Sequence, residues 1–194
     1  MRAVVVALAG RQHDFSGKRL LVMGGSLGAH ALNVHVCRHL DALRAAGIEV
    51  RHQTGVRDEA VTREAYAAAG YDPACVSAFI DDMASAYAWA DLVLCRAGAT
   101  TVAELCAAGL PSVLVPFPYA VHDHQTRNAQ ALVAEGAALM LPEARMESDG
   151  LMAQVTDLLQ DTGRLRTMAA AASGCARVRA AELVAAELET VCAR

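Results

Sequence analysis

The chain of 194 residues carries a formal net charge of −4 at pH 7, which excludes a general electrostatic attraction to nucleic acid and predicts no nucleic-acid partner. Hydrophobic residues make up 55% of the chain and aromatic residues only 4%, which favours helices packed closely on a sheet over a β-sandwich. The length fits one domain, formed by residues 18–194, with residues 1–17 as a linker or strand remnant. The 6 cysteines lie far apart and are expected to be small buried hydrophobes in a reducing cytoplasm.

The first unit of the chain combines a short apolar run, a glycine loop and a helical stretch. Residues 18–23 predict a strand, and residues 29–46 carry apolar side chains at helical spacing. Between them, Gly-Gly-Ser-Leu-Gly at 24–28 could cradle a phosphate, because glycines let backbone N–H groups approach an anion. The loop matches neither the Walker pattern nor a complete G-x-G-x-x-G motif, so a tight turn without a ligand is an equally ordinary interpretation.

The same alternation continues along the chain. Further strands are predicted at 48–52, 75–80, 92–95, 111–117 and 136–141. Helices are predicted at 58–69, at 81–89 with Asp81 or Asp82 as cap, at 101–108, in a stretch ending at about 135, and from 148 onward with breaks at Gly163 and Gly174. This order predicts an α/β fold: a single Rossmann-like domain with a six-stranded parallel sheet and helices on both faces.

The junction after the strand at 92–95 is the foremost candidate for a ligand site. Gly98 permits a sharp turn there, and Thr100 or Thr101 can cap the following helix. Helix-start N–H groups and the helix dipole favour an anion such as a phosphate. Glu104 is expected on the first turn, facing the same crevice, where its carboxylate can accept hydrogen bonds from ribose hydroxyls, so a nucleotide is indicated. The plainer interpretation is a capped helix with a solvated acid in its first turn.

Three polar groups admit a metal-binding interpretation, and each has a plainer alternative. Asp81 and Asp82 could ligate a metal or act in acid–base chemistry, but acids at a helix start are ordinary dipole partners. His35 and His39 are spaced i, i+4, but no further ligand is near in sequence, which favours a solvated helix face. The third group fits a polar rim that binds a sugar better than a metal site, so no metal is expected. It comprises His122, Asp123, His124, Gln125 and Asn128.

Five motifs occur in the order typical of one enzyme family: Gly24-Gly-Ser-Leu-Gly-Ala29, Phe79-Ile-Asp-Asp-Met83, Gly98-Ala-Thr-Thr-Val-Ala-Glu104, Ala108-Gly-Leu-Pro111 and Asp123-His-Gln-Thr-Arg-Asn-Ala129. From about residue 18 onward the chain resembles the C-terminal, donor-binding half of the peptidoglycan N-acetylglucosamine transferases of glycosyltransferase family 28, which have the GT-B fold. The resemblance implies inverting transfer of N-acetylglucosamine from UDP-N-acetylglucosamine to lipid I, giving lipid II, without a cofactor. The family's N-terminal half, which engages the acceptor and is expected to hold the general base, has no counterpart in this sequence. No catalytic residue is therefore expected in this chain, nor activity without that half.

The resemblance also implies a site for UDP-N-acetylglucosamine. Ser26 would contact the diphosphate, the backbone of Ile80 would pair with the uracil edge, Glu104 would bind the ribose hydroxyls and Gln125 the sugar hydroxyls. The phosphate and sugar side would be lined by Ala99, Thr100, Thr101, Val102 and Ala103. Neighbouring positions carried over with them are Gly25, Gly28, Met83, His124, Asn128 and Arg2.

Other functions are compatible with the same donor site. One alternative is a non-catalytic nucleotide-sugar binding module or a subunit of a split UDP-sugar glycosyltransferase, and another is a related glycolipid transferase or epimerase. Full-length members of the resembled family work at the cytoplasmic face of the bacterial inner membrane. No apolar run approaches the ~20 residues that span a bilayer, so this chain is expected to be soluble and cytoplasmic and to meet the membrane and lipid I only through an N-terminal domain.

Overall fold

A computed structural model describes residues 3–11, 13–25 and 29–177. Its strands are β1 Arg19–Met23, β2 Glu49–Gln53, β3 Val76–Ser77, β4 Leu92–Cys95, β5 Ser112–Leu114 and β6 Ala138–Met140. They form one sheet in the order β3-β2-β1-β4-β5-β6, and every neighbouring pair is parallel. This is the strand order of a Rossmann-like domain, and it confirms the predicted fold class.

The helices fill the connections between the strands. They are α1 Ala3–Val6, α2 His30–Cys37, α3 Leu40–Ala45, α4 Glu59–Ala68, α5 Met83–Trp89, α6 Ala99–Ala108, α7 His124–Ala134, α8 Leu151–Gln160 and α9 Thr162–Gly174. Short 3-10 turns lie at Pro73–Cys75, Val121–Asp123 and Glu143–Arg145. None of these helices combines the length and the apolar character that crossing a bilayer demands.

Both faces of β1 are buried, as its continuous apolar sequence predicts. Leu20 and Val22 pack in one cluster with side chains from α2, α3, α4 and α8. Leu21 and Met23 point to the other face, into a second cluster with α5, α6 and α7. Full burial of one such side chain contributes about 1.5–3 kcal/mol, so the helical layers fix the position of β1 from both sides.

The predicted helix over 29–46 is divided in two, so the prediction of one continuous helix was wrong. The His39 ring donates from Nδ1 to the carbonyl oxygen of His35 at 2.9 Å, the acceptor that the His39 backbone N–H would use in an α-helix. That N–H bonds to Val36 instead, and His39 leaves the helical region with φ −116° and ψ 11°. The solvated-face interpretation of the histidine pair was also wrong, because His35 is only 5% exposed.

Several element boundaries also differ from the prediction. The edge strand β3 is shorter than 75–80, and β5 ends at Leu114 instead of 117, because the carbonyls of Val115 and Pro116 accept hydrogen bonds from Arg96. The break between α8 and α9 falls at Asp161, whose carboxylate accepts the Arg164 N–H at 2.9 Å.

Three further expectations concern the N-terminal segment, a helix cap and the cysteines. Residues 3–6 form a helix packed on α5 and α6, so the strand-remnant alternative for this segment was wrong. Asp82 caps α5 as predicted, accepting from the Ser85 N–H at 2.9 Å. In the described part of the chain, Cys95 and Cys106 are buried and the other cysteines are half-buried thiols.

A buried polar chain links α4 to the start of α2. The His52 ring bonds through Nδ1 to the Tyr66 hydroxyl and through Nε2 to Asn33 Oδ1, both at 3.0 Å. Asn33 in turn donates to Asp58 at 2.8 Å, and Asp58 also bonds to the His30 ring at 3.0 Å. Burial lowers the pKa of His52 to about 3, against the smaller raising effect of the Asp58 charge, so the ring is neutral at pH 7.

Candidate functional site

A cavity of about 470 Å³ opens at the carboxyl ends of β1 and β4, where the strand order reverses direction. In open α/β sheets this crevice is the usual ligand site. The structure brings together there seven residues of the predicted site: Gly25, Ile80, Met83, Thr100, Thr101, Glu104 and Gln125. The volume lies in the range of small-molecule sites.

The start of α6 forms one wall of the cavity, and its cap differs from the prediction. Gly98 is the N-cap and no side chain caps the helix, so the predicted capping by Thr100 or Thr101 was wrong. Within the described ranges, the backbone N–H groups of Ala99, Thr100 and Thr101 make no hydrogen bond. Three unpaired donors and the positive end of the helix dipole therefore face a cavity, an arrangement suited to an anion.

The role predicted for Gly98 also needs correction. Its φ of −64° and ψ of 145° are open to any residue, so the turn itself does not require glycine. A Cβ at this position would meet only Thr101 Oγ1, at 3.8 Å. What the missing side chain provides is space beside the helix start, on the cavity wall.

Glu104 lies in the wall of the cavity, but not on the first turn of α6. The helix begins at Ala99, so Glu104 is in its second turn, and its residue is only 2% exposed. Its Oε2 accepts a hydrogen bond from the Tyr87 hydroxyl at 3.2 Å. The interpretation as a solvated acid was therefore wrong: this carboxylate is buried and oriented by a phenol from α5.

The segment from β3 to α5 forms the opposite wall. Among the described residues, the backbone N–H and C=O of Ile80 have no hydrogen-bond partner, which leaves one donor and one acceptor at the cavity. Gln53 holds this segment against the glycine loop. Its amide donates to the carbonyls of Gly25 at 3.0 Å and Ala78 at 2.8 Å, and its oxygen accepts the Gly25 N–H at 3.1 Å.

The connection from β5 to α7 closes a third side. Gln125 lines the cavity, and its carbonyl oxygen accepts the N–H groups of Ala97 at 3.2 Å and Phe117 at 3.0 Å. With both lone pairs engaged, what Gln125 offers a ligand is the pair of N–H donors on its amide. Asn128 stands behind this wall and donates to the carbonyl of Ala97 at 3.0 Å, so it positions the loop before α6.

The remaining predicted residues lie outside the cavity wall or outside the described residues. His124 is exposed, and its Nδ1 bonds to the carbonyl of Val121 at 2.8 Å. The side chains of Ala99, Val102 and Ala103 do not line the cavity. Ser26, Gly28 and Arg2 lie outside the described residues.

Arg96 is a site residue that the sequence patterns did not reveal. Its guanidinium lines the cavity, donates to the carbonyls of Val115 and Pro116 at 3.2 Å each, and pairs with Glu143. Gln53, Tyr87, Phe79 and Phe117 were missed in the same way. The available signal was position, since Gln53 ends β2 and Arg96 follows β4 directly.

The chemistry of the lining favours binding over covalent catalysis. Cys95 is the thiol in the wall, and burial raises its pKa to about 12, so it stays protonated at neutral pH. The polar groups that remain are backbone N–H and C=O groups, amides, the hydroxyls of Thr100, Thr101 and Tyr87, one carboxylate and one guanidinium. This set can orient a polar, anionic ligand.

The strand order, together with the crevice where that order reverses, defines the class of the domain. It is an α/β domain of the kind that binds nucleotides at the carboxyl ends of its strands. The model of the glycosyltransferase family 28 C-terminal domain matches residues 19–184. The chain belongs to that family.

Individual relatives agree with this assignment. Over 187 residues the chain is 52% identical to UDP-N-acetylglucosamine–N-acetylmuramyl-(pentapeptide) pyrophosphoryl-undecaprenol N-acetylglucosamine transferase from Nitratidesulfovibrio vulgaris (strain DP4), an alignment that covers 95% of this chain and 51% of that protein. It is 54% identical over 177 residues to the transferase of the same name from Xylella fastidiosa (strain M12), covering 88% of this chain and 48% of the relative.

Solved structures of glycosyltransferases also resemble this chain. The crystal structure of Acinetobacter baumannii MurG is similar with a TM-score of 0.80 and 34% identity, covering 94% of this chain and 55% of that one. The calicheamicin glycosyltransferase CalG4 is similar with a TM-score of 0.59 and 25% identity, covering 89% and 43%. These matches confirm the prediction of the C-terminal half of a GT-B glycosyltransferase, and the chain spans about half the length of the relatives it matches.

Proposed function

We propose that this chain is the donor-binding half of an inverting glycosyltransferase that moves N-acetylglucosamine from UDP-N-acetylglucosamine to lipid I, forming lipid II. The observation that carries the proposal is the convergence of the open N-terminus of α6 and the unpaired backbone of Ile80 on one cavity. The transferase names of relatives about half identical to the chain support the choice of substrates.

Each part of the donor has a matching group in the cavity. The N–H and C=O of Ile80 form a donor–acceptor pair complementary to the edge of uracil. The carboxylate of Glu104, oriented by Tyr87, accepts from the ribose hydroxyls. The N–H groups at the start of α6 take the diphosphate, and the amide N–H groups of Gln125 donate to sugar hydroxyls. Ser26 and Gly28 complete the diphosphate side in this proposal.

The chemistry assigned to these residues is stabilisation of the leaving group. A hydroxyl of the muramyl sugar attacks the anomeric carbon, the bond from that carbon to the diphosphate oxygen breaks, and UDP departs. Negative charge grows on the diphosphate as the bond breaks, and preorganised N–H dipoles lower the barrier because they need no reorganisation. The hydroxyl proton passes to a base on the family's N-terminal domain. Since the nucleotide sugar is the substrate, the proposal includes no cofactor.

The proposal is tested by following labelled sugar from UDP-N-acetylglucosamine into a lipid I analogue. Residues 1–194 alone should bind UDP in calorimetry but transfer no sugar, because holding both substrates in reacting geometry accounts for roughly 7–11 kcal/mol of barrier reduction. Adding the N-terminal domain of the Nitratidesulfovibrio vulgaris transferase, in trans or by fusion, should give turnover.

Each failure in this assay has a different meaning. Absence of UDP binding even with the N-terminal domain present would refute the donor site. Efficient transfer by residues 1–194 alone would show that the acceptor site and base are within this chain. UDP binding without transfer in any combination would favour a non-catalytic nucleotide-sugar binding module.

A further inference from the structure

Two histidines at the junction of α2 and α3 converge with a glutamate from the segment before α8. One ligand atom from each of His35, His39 and Glu147 lies within 4.8 Å of the other two. The centroids of the two imidazole rings are 4.7 Å apart, and His35 Nδ1 is 3.4 Å from Glu147 Oε2. None of the three residues lines the donor cavity, so the cluster is separate from the site described above.

The tautomer of the neutral His39 ring follows from its backbone contact. Nδ1 lies 2.9 Å from the carbonyl oxygen of His35, which can only accept, so Nδ1 carries the hydrogen. Nε2 of the neutral ring therefore presents a lone pair. A hydrogen bond from one ring nitrogen to a carbonyl is the usual way in which a metal-binding imidazole is oriented.

His35 contributes a buried ring to the cluster. The ring is buried, one nitrogen faces Glu147, and within the described residues its Nε2 has no hydrogen-bond partner. The nitrogen that faces Glu147 is Nδ1, at 3.4 Å from Oε2, so Nδ1 is the atom that this ring offers to a metal bound at the cluster.

We propose that His35, His39 and Glu147 form a zinc site. Two imidazoles and one carboxylate are a ligand set that Zn²⁺ adopts, with water as the fourth ligand. Zinc–ligand distances of about 2.0–2.2 Å place tetrahedral ligand atoms roughly 3.3 Å apart, so the cluster needs only a modest contraction. The Glu147 side chain is 73% exposed and can supply that movement by a change of rotamer.

The ion would join two parts of the fold that are distant in sequence. His35 and His39 flank the break between α2 and α3, and Glu147 belongs to the turn that leads into α8. Because Zn²⁺ would bind the folded chain and find no preformed site in the unfolded one, it should stabilise the fold by mass action.

The experiment titrates Zn²⁺ alone into chelator-treated residues 1–194 in a calorimeter, with thermal unfolding as a second readout. We expect one Zn²⁺ per chain and a higher Tm with the metal. Glu147→Gln and His39→Gln should each weaken zinc binding by at least roughly tenfold and reduce the rise in Tm at a given zinc concentration. Glu135→Gln, at the exposed end of α7, is the matched control and should behave as the unmodified chain does.

Circular dichroism checks that each variant is folded before its titration is interpreted. The proposal is overturned if the folded unmodified chain binds no Zn²⁺, or if both ligand variants bind it as tightly as Glu135→Gln does. Replacement by Co²⁺ gives an independent readout. Visible bands of a nitrogen–oxygen site support the assignment, whereas thiolate charge-transfer bands would place the metal on cysteines and overturn it.

Discussion

Replacement of Glu104 tests the proposed ribose contact most directly, and the structure separates its effect on binding from its effect on stability. Hydrogen bonds to a charged group contribute about 1.5–3 kcal/mol, so Glu104→Ala should weaken UDP binding by about 1–3 kcal/mol, or roughly 5–150-fold. The same change removes the acceptor of the Tyr87 hydroxyl in a buried position, so the free energy of unfolding should also fall by about 1–3 kcal/mol.

Two further variants separate the effect on UDP binding from the effect on stability. Glu104→Gln keeps one acceptor oxygen and should weaken UDP binding less than Glu104→Ala, with a smaller loss of stability. Tyr87→Phe removes the phenol hydroxyl and should lower stability while leaving the carboxylate able to bind ribose. Calorimetry with UDP and urea unfolding measure the two quantities. If Glu104→Ala binds UDP as tightly as the unmodified chain and only unfolds more easily, Glu104 is a structural acid and the ribose assignment is incorrect.

Two further predictions concern acid and the glycine beside α6. The pKa of about 3 for buried His52 lies below the unfolded value of 6.5, so its contribution to stability is complete above pH 6.5 and is lost as pH falls towards 3. Urea unfolding should therefore show a loss of about 1.7 kcal/mol between pH 6.5 and 5, and a pH dependence of stability unchanged in His52→Gln would contradict this. Gly98→Ala should change stability by less than about 0.5 kcal/mol yet weaken UDP binding, because its methyl group enters the space proposed for phosphate. The control Gly109→Ala should lower the free energy of unfolding and leave UDP binding unchanged. Gly109 has φ +62°, which strains an alanine, and Ser173 Oγ lies 2.5 Å from the added Cβ.

The sheet was predictable because its evidence is local. Apolar runs such as Leu92–Cys95, separated by helical stretches, are sufficient to indicate parallel strands with helices on both faces. The division of the helix at 29–46 was not predictable, because it depends on a side chain taking a backbone acceptor. A histidine at position 39 is compatible with a helix until its ring bonds to the carbonyl of residue 35.

The residues of the candidate site were also predictable only where the evidence is local in sequence. Gly25, Thr100 and Glu104 belong to short contiguous motifs, so they could be proposed before the fold was seen. Gln53 is the last residue of β2 and Arg96 the first residue after β4, and only the sheet brings these single positions to the cavity. The burial of Glu104 against Tyr87 could not be read from spacing either, because it depends on how α5 packs against α6.

The open N-terminus of α6 has a consequence for resistance to inhibitors. Every residue except proline supplies the same backbone N–H, so an anion held there is held by atoms that most substitutions cannot remove. A point mutation therefore seldom abolishes the binding of a compound that draws its affinity from the N–H groups of residues 99–101, unless the mutation introduces proline or blocks the space beside Gly98. A compound that relies on the side chain of Gln125 or Phe117 lacks that protection, because a single codon change can remove its contact.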